Sequence, residues 1–252
     1  MGKATDFPPT PVRHTAETGS TNTDAKAAFA AGEDGPLWLT TDRQTAGVGR
    51  RGRPWQHISG NFAGTYLWSI SREQSRHPAA FSFMAALAVK DASEAVGVMP
   101  GRLAFKWPND VLAAGAKLAG LLPEMVTQGD RHGVLIGIGV NIASAPDVGA
   151  YATTSLTTLS RKPTKVEDFH AALDQSLQRW WASFRAEGFV PIRDAWLKEA
   201  AGLGAPLVAT QEGQKISGIF TGLDENGALL LQGETQVHTI TAADIFFPGK
   251  IR

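Results

Sequence analysis

The chain has 252 residues, 24 Lys+Arg against 24 Asp+Glu, and no cysteine. A neutral balance supplies no global field to gather nucleic acid or coat an anionic membrane. The missing cysteine excludes disulfide scaffolds, thiolate metal sites, redox dithiols and cysteine nucleophiles. The length admits one large domain or a medium one with a small companion, and a chain of this size buries roughly 70–75 % of its unfolded surface without a staple. No apolar run approaches the roughly 18 residues of a spanning helix. The polar, proline-rich start Met1 to Pro11 has no signal pattern, and Asp6 stands where a myristoylation motif wants Ser or Thr. The expectation is a soluble, cytoplasmic globular protein.

In chain order, Ser20-Thr21-Asn22 precede an alanine-rich stretch ending near Gly32, a helix with cap residues at its start and glycine at its stop. Pro36 to Asp42 and Asn61 to Ile70 read as strands, the second with Phe62, Tyr66 and Trp68 on one face. The loop between them, about 20 residues, is too long for a simple hairpin; loops of that length are usually functional or disordered. A second helix covers His77 to Gly97, with Ala80, Phe83, Met84, Leu87 and Ala88 on one face. Strand-like runs follow at Leu103 to Trp107, Asp110 to Ala114, Lys117 to Val126 and Val134 to Ile142. The capping box Thr164-x-x-Glu167 opens a third helix, whose stripe is Val166, Phe169, Leu173, Leu177, Trp180 and Phe184. A shorter helix spans Pro191 to Ala200. Past Gly202-Leu203-Gly204 the pattern changes to short alternating segments from Leu207 to Phe247, with turns at Glu212-Gly213, Asn226-Gly227 and Gln232-Gly233. That is a small all-β unit.

Four segments carry chemistry. Gly47-Val48-Gly49-Arg50-Arg51-Gly52 has the dinucleotide spacing, but Arg53-Pro54-Trp55 and a strand follow where that fold needs a helix to open. The segment reads instead as a flexible backbone carrying Arg50, Arg51 and Arg53, suited to phosphate. A solvated basic loop or a small nucleic-acid patch are the alternatives. Lys106-Trp107-Pro108-Asn109-Asp110 sets a cation and a carboxylate around a turn, and a hairpin brings Lys106, Asp110 and Lys117 to one end of a sheet. The same text also describes an ordinary Pro-Asn turn with charged shoulders. Ser20, Thr21, Asn22 and Gln44 can serve a polar small molecule, although capping alone accounts for the first three. In Gly137-Ile138-Gly139-Val140-Asn141, glycines inside a strand indicate close approach by a ligand or another backbone. The six histidines show no ligand spacing.

Read together, Ser20-Thr21-Asn22, Gln44 through Trp55, Lys106 to Asp110, Lys117-Leu118-Ala119-Gly120 and Gly137-x-Gly139-x-Asn141 resemble the biotin protein ligase family, in order and in spacing. Gly227 to Leu231 resembles that family's small C-terminal domain. The resemblance implies an α+β fold: a class II aminoacyl-tRNA synthetase-like mixed sheet flanked by helices over residues 1–202, then a C-terminal SH3-like β-barrel over 203–252. It implies that biotin and MgATP yield biotinyl-5′-AMP and pyrophosphate. A specific lysine of a carboxylase's biotin carboxyl carrier domain then takes the biotin as an amide.

Carried over by position, Ser20, Thr21, Asn22 and Gln44 face the biotin ureido group, and Val48, Gly49, Arg50 and Lys117 complete the biotin contacts. Arg50, Arg53, Trp55, Asn109 and Asn141 fall around ATP or the adenylate. Lys117, Arg50 and Asp110 are the implied catalytic residues. Asp110 is the candidate proton acceptor for the carrier lysine and a potential link to Mg²⁺ held by ATP; no residue is assigned firmly to metal. Many members carry arginine where Val48 stands, which predicts readier release of the adenylate if that side chain orders the loop. About 15 residues precede the match, too few for the helix-turn-helix of repressor-type members, so a monofunctional enzyme without DNA binding is expected. A homodimer is compatible with the sequence. The rival readings are a lipoate ligase or octanoyl transferase and, from another class, a non-catalytic nucleic-acid module built on Arg50 to Arg53.

Overall fold

The computed structural model describes residues 7–211 and 213–248. Positions 1–6, and Glu212 of the expected Glu212-Gly213 turn, lie outside the described residues. In chain order the elements are β1 (Val12–Thr18), α1 (Thr21–Ala30), β2 (Leu37–Gln44), β3 (Phe62–Ile70), α2 (Pro78–Ala95), β4 (Leu103–Lys106), β5 (Asp110–Ala113), β6 (Ala116–Gln128) and β7 (Arg131–Val140). Then come α3 (Leu156–Ser160), α4 (Val166–Glu187), α5 (Val190–Lys198), β8 (Pro206–Gln211), β9 (Gln214–Leu223), β10 (Leu229–Gln232), β11 (Val237–Ile240) and β12 (Asp244–Phe246). Strands β1 to β7 form one mixed sheet in the order β1-β2-β3-β7-β6-β5-β4, and β8 to β12 form a second in the order β11-β10-β9-β8-β12. Only the β1–β2 pair of the first sheet is parallel.

Period two in β7 decides the layering. Val134, Ile136, Ile138 and Val140 point to the main core, where α2, α4 and α5 pack. Gly133, Leu135, Gly137 and Gly139 point to the opposite face. There α1 buries Ala25, Ala28 and Phe29 against Leu37, Leu39, Leu67, Val126 and Leu135. At ten residues α1 covers only part of that face, and the remainder is where the polar motifs meet.

The secondary structure departs from the sequence expectations at four places, besides the short helix α3, which the sequence does not predict. Strand β1 is not among the elements that the sequence predicts: six of its seven residues are exposed, so its text carries almost no apolar alternation, and it exists by pairing with β2 from Val12↔Trp38 to Thr18↔Gln44. Helix α2 is buried all round from Ala80 to Val89 rather than along one face, because it lies between the sheet and α4 and α5. The Thr164-x-x-Glu167 box does not form; α4 begins at Val166 behind Lys165 with no side-chain cap, and Thr164 Oγ1 is buried without a partner. The residue that α4 buries is Trp181, while Trp180 stays partly exposed and donates Nε1–H to Asp91 Oδ2 at 2.9 Å.

The second sheet is antiparallel and SH3-like, and among the described residues no ladder joins its outer strands β11 and β12. Its apolar residues Leu207, Phe220, Leu229, Leu231, Ile240 and Ile245 belong to the same core as α2 and β7. Trp107, 5 % exposed, donates its indole N–H to Gly227 O at 3.0 Å. Gly227 (φ +82°) sits so close to the large unit that a Cβ would lie 2.7 Å from Ala79 Cβ. The change of pattern at Gly202-Leu203-Gly204 is thus a change of topology within a continuous core. Among the described residues no helix is long and apolar enough to cross a membrane.

One shared core predicts one unfolding transition. Trp107→Phe keeps an aromatic ring but leaves the Gly227 carbonyl without its donor, so urea unfolding should show a single transition destabilised by about 1–3 kcal/mol. Two separated transitions in the wild type would contradict the shared core.

Candidate active site

The uncovered face of the large sheet is built around absent side chains. In register, Gly139 pairs with Gly120 and Gly137 with Leu122. A Cβ on Gly137 would strike the Asn22 amide, and one on Gly139 or Gly120 would strike the Trp55 ring, at 2.9 Å from Cζ3 in the case of Gly120. The expected close approach at these glycines is therefore made by side chains of the protein itself. Asn22 comes from the first turn of α1 and Trp55 from the long loop.

At the Asn22 end neutral groups interlock in front of one carboxylate, Glu124. Gln44 Oε1 accepts from the Thr21 backbone N–H at 3.0 Å and lies 3.3 Å from Thr21 Oγ1. The Thr65 hydroxyl, on β3, lies 2.8 Å from Thr21 Oγ1 and donates to Asn22 Oδ1 at 2.6 Å. Asn22 Nδ2 donates to Glu124 Oε1 at 2.7 Å and to Leu122 O at 3.2 Å. Thr21, Asn22 and Thr65 are buried, so this set is pre-oriented. Ser20 occupies the N-cap position of α1 in extended conformation, but its hydroxyl makes no cap hydrogen bond. Capping explains the Ser20 backbone and not its side chain.

About two residues along β7, some 7 Å away at strand rise, the groups become charged. The hairpin pairs Lys106 with Asp110 and Asp110 with Gly120, and Lys117 Nζ meets Asp110 Oδ1 at 2.7 Å, both side chains about one-fifth exposed. Lys117 also lies 5.5 Å from the ring centroids of Trp55 and Tyr151, within cation–π range. Burial pushes the Lys106 ammonium below its usual range, opposed by Asp110 and reinforced by Lys117. Asn109 donates to Leu121 O at 2.7 Å, which locks the Lys-Trp-Pro-Asn-Asp turn onto β6. The space left between Trp55, Lys117, Asn141 and Tyr151 is about 20 Å³, room for roughly one water.

Asn141 directly follows β7 and lines this cavity. It is 1 % exposed, its Nδ2 donates to Thr154 O at 3.1 Å, and its Oδ1 lies 3.5 Å from Asn61 Nδ2. Its amide is committed to pinning the 142–154 segment, so it shapes the cavity through the backbone.

The loop above the site is closed by backbone hydrogen bonds of its own. Gly49 N–H donates to Arg53 O at 2.7 Å, Trp55 N–H donates to Gly47 O at 2.8 Å, and Val48 bridges Pro54. At its tip Arg50–Gly52 form a three-residue 3-10 turn, with Arg51 at φ 56°; no α-helix opens there, as the sequence context required. Val48 is 46 % exposed. Arg50 is half-buried, and burial lowers its guanidinium value, with Asp244 opposing. Arg51 and Arg53 turn away from the glycines to Asp244, at 2.8 and 2.9 Å.

Three participants escape a reading of the sequence, Thr65, Tyr151 and Asp244, and a fourth, Glu124, stands in it without a role. Glu124 does leave a signal, a carboxylate inside the otherwise apolar run Leu118 to Val126. Thr65 shows only as a polar residue alternating with Tyr66 on β3. Tyr151 and Asp244 are contributed across long sequence separations and have no local signature.

Comparison with known proteins gives a consistent set. The model of the Biotin/lipoate A/B protein ligase family matches residues 16–141, and that of the Biotin protein ligase C terminal domain matches 203–247. A Paracoccus denitrificans protein named biotin–[acetyl-CoA-carboxylase] ligase is 43 % identical over 93 % of this chain and 99 % of its own length. One of the same name from Mycobacterium tuberculosis is 31 % identical over 91 % of this chain and 86 % of its own. The structure of the Aquifex aeolicus biotin protein ligase in complex with biotin and ATP superposes with TM-score 0.82, covering 94 % of this chain and 99 % of that one at 23 % identity.

The glycine floor has a direct test. Gly139→Ala should expel the Trp55 indole, seen as increased oxidation of Trp55 in hydroxyl-radical footprinting, with circular dichroism unchanged. Unaltered protection of Trp55 would show that the ring does not depend on Gly139.

Proposed function

The chain belongs to the biotin/lipoate A/B protein ligase family, and on that premise we propose that it activates biotin with ATP to biotinyl-5′-AMP and passes the biotinyl group to a lysine of a biotin carboxyl carrier domain. The observation that carries the choice is the polarity of the site along one strip of sheet. Neutral donors and acceptors from Thr21, Asn22, Gln44 and Thr65 stand at one end, and cations Lys117, Lys106 and Arg50 at the other. A ligand with a neutral urea head, an apolar stem and an acidic tail is complementary to that gradient. A urea has one acceptor and two N–H donors, as hydroxyl and amide partners require. Lipoate has a disulfide ring with no such hydrogen-bonding set, and the C-terminal match at 203–247 also supports biotin.

In this reading Ser20, Thr21, Asn22 and Gln44 hold the ureido ring, with Asn22 itself seated on Gly137, and Trp55 walls the stem. ATP enters against Trp55 and Tyr151, both of which must move, because the present cavity is far too small for a nucleotide. Lys117 and Arg50 stabilise the charge that builds as the biotin carboxylate attacks the α-phosphorus and pyrophosphate leaves. Attack needs no new covalent partner from the protein; alignment and charge compensation are what the site offers. Magnesium would travel with ATP. Among the described residues no three acidic or histidine groups form a cage, and Asp110 is engaged with Lys117, so the donor set does not fit a resident ion.

The second step meets a proton problem. At an unperturbed pKa of about 10.4, about one carrier lysine in 2,500 is a free amine at pH 7. We assign Asp110 as the proton acceptor, available once Lys117 has turned to the adenylate. The division at 202/203 then separates the residues that touch biotin from a C-terminal unit that supports the loop. The reaction belongs in the cytoplasm, where ATP and the carrier domain coexist.

Exchange of labelled pyrophosphate into ATP should depend on biotin and be absent with lipoate or octanoate; exchange with lipoate instead would move the chain to the sister activity. Lys117→Ala should lower the biotin-dependent rate more than tenfold with unchanged thermal midpoint, and a near-normal rate would remove Lys117 from the chemistry. Asp110→Asn should slow single-turnover transfer from preformed adenylate at least tenfold more than it slows adenylation. Equal losses would mean that Asp110 acts only by holding Lys117.

A further inference from the structure

The glycine-arginine loop places three guanidinium groups within four positions, an arrangement that repels itself unless something negative offsets it. The offset comes from the other end of the chain. Asp244 gives one carboxylate oxygen to each of two arginines: Oδ2 to Arg51 at 2.8 Å and Oδ1 to Arg53 at 2.9 Å. Both distances are those of charge-assisted hydrogen bonds. Asp244 is also well mounted. It begins β12, is paired with Thr210 of β8, and stands between the buried residues Ala243 and Ile245. On the loop side, Arg51 adopts a left-handed conformation at φ 56°, uncommon for a residue with a side chain. Arg50 behaves differently: it makes a long 3.4 Å contact with the Ala243 carbonyl, is half-buried, and feels the charge of Asp110.

We propose that Asp244 is a positioning residue for adenylation: it docks the loop through Arg51 and Arg53, and the docked loop presents Arg50 to the phosphates. Arg53, expected from the motif to meet ATP itself, becomes an anchor together with Arg51. The C-terminal sheet thereby contributes to nucleotide binding without touching the nucleotide.

The proposal rests on the biotin ligase reading for its kinetic test, and has a second readout that does not. In the full chain, Asp244→Asn should raise KM for ATP at least tenfold in biotin-dependent exchange, with kcat within threefold. Asp244→Glu should recover most of the loss, and Arg51→Gln should match Asp244→Asn without adding to it in the double variant. Without ligands, trypsin should cut Arg50–Arg51 and Arg51–Gly52 at least fivefold faster in Asp244→Asn than in wild type. Arg51→Gln leaves the sheet untouched and supplies the same kinetic comparison if the Asp244 variants fail to fold. A lowered KM for ATP would overturn the proposal by making Asp244 a competitor of the phosphates, and so would unchanged KM or unchanged cleavage. If wild type shows no biotin-dependent exchange, the functional reading fails while the cleavage comparison still decides the docking.

Discussion

The site depends on a strand that gives up most of its side chains on one face, where glycine stands at 133, 137 and 139. Strand β7 is a full member of the core through Val134, Ile136, Ile138 and Val140, yet its other face carries Gly133, Gly137 and Gly139. With Gly120 beside Gly139, the sheet there is bare backbone. Phe29, Asn22 and Trp55 can lie flat on it because nothing projects from beneath. Each is brought by a different stretch of chain: Phe29 by the far end of α1, Asn22 by its start, Trp55 by the loop. Strand interiors lose stability at glycine. Here the loss is offset by ladders to β3 and β6 on both sides and by the fully packed opposite face.

From that floor the division of polarity follows. Asn22 over Gly137 organises Thr65, Thr21, Gln44 and Glu124 into a neutral donor–acceptor set with one carboxylate behind it. Trp55 over Gly139 and Gly120 screens this set from Lys117, which Asp110 holds in an ion pair. The hairpin that carries the pair is fixed at its turn by Asn109 against β6 and by Trp107 against Gly227 of the second sheet. A tryptophan in the motif thus ties the hairpin that carries the Lys117–Asp110 pair to the C-terminal unit, and Asp244 ties the covering loop to the same unit. A sheet of this size buries little surface by itself; sharing the core adds to that burial and joins the unit to the sheet that carries the site.

Local patterns reveal much of this. The period-two alternation in Val134 to Ile142, the glycine spacing, and the Lys106-to-Lys117 hairpin all encode short-range geometry, and each appears where the sequence implies it. The resemblance carried by the loop and the hairpin motif implies the mixed sheet and the SH3-like unit. What the sequence leaves hidden is set by partners far apart in the chain. Strand β1 is legible only through β2. The start of α4 follows from tertiary packing, which overrides the capping box at Thr164. Glu124 acquires its role through Asn22, 102 positions away, and Asp244 through arginines 191 and 193 positions away. Asn141, a residue of the glycine-strand motif, gives its amide to the backbone of the 142–154 segment, a partner the sequence does not show.

The functional reading turns on Asn22, which lies on the bare strip at Gly137 and which the proposal assigns to the neutral head of the ligand. Isothermal titration with biotin alone, comparing wild type with Gly137→Ala and Gly133→Ala, tests it most directly. Both substitutions add one methyl to the same face of the same strand, but Gly133 lies under Phe29 and away from the polar set. Gly137→Ala should weaken biotin binding more than tenfold while Gly133→Ala stays within threefold of wild type. Equal affinities at Gly137→Ala and wild type, or equal losses at both positions, would contradict recognition at that strip.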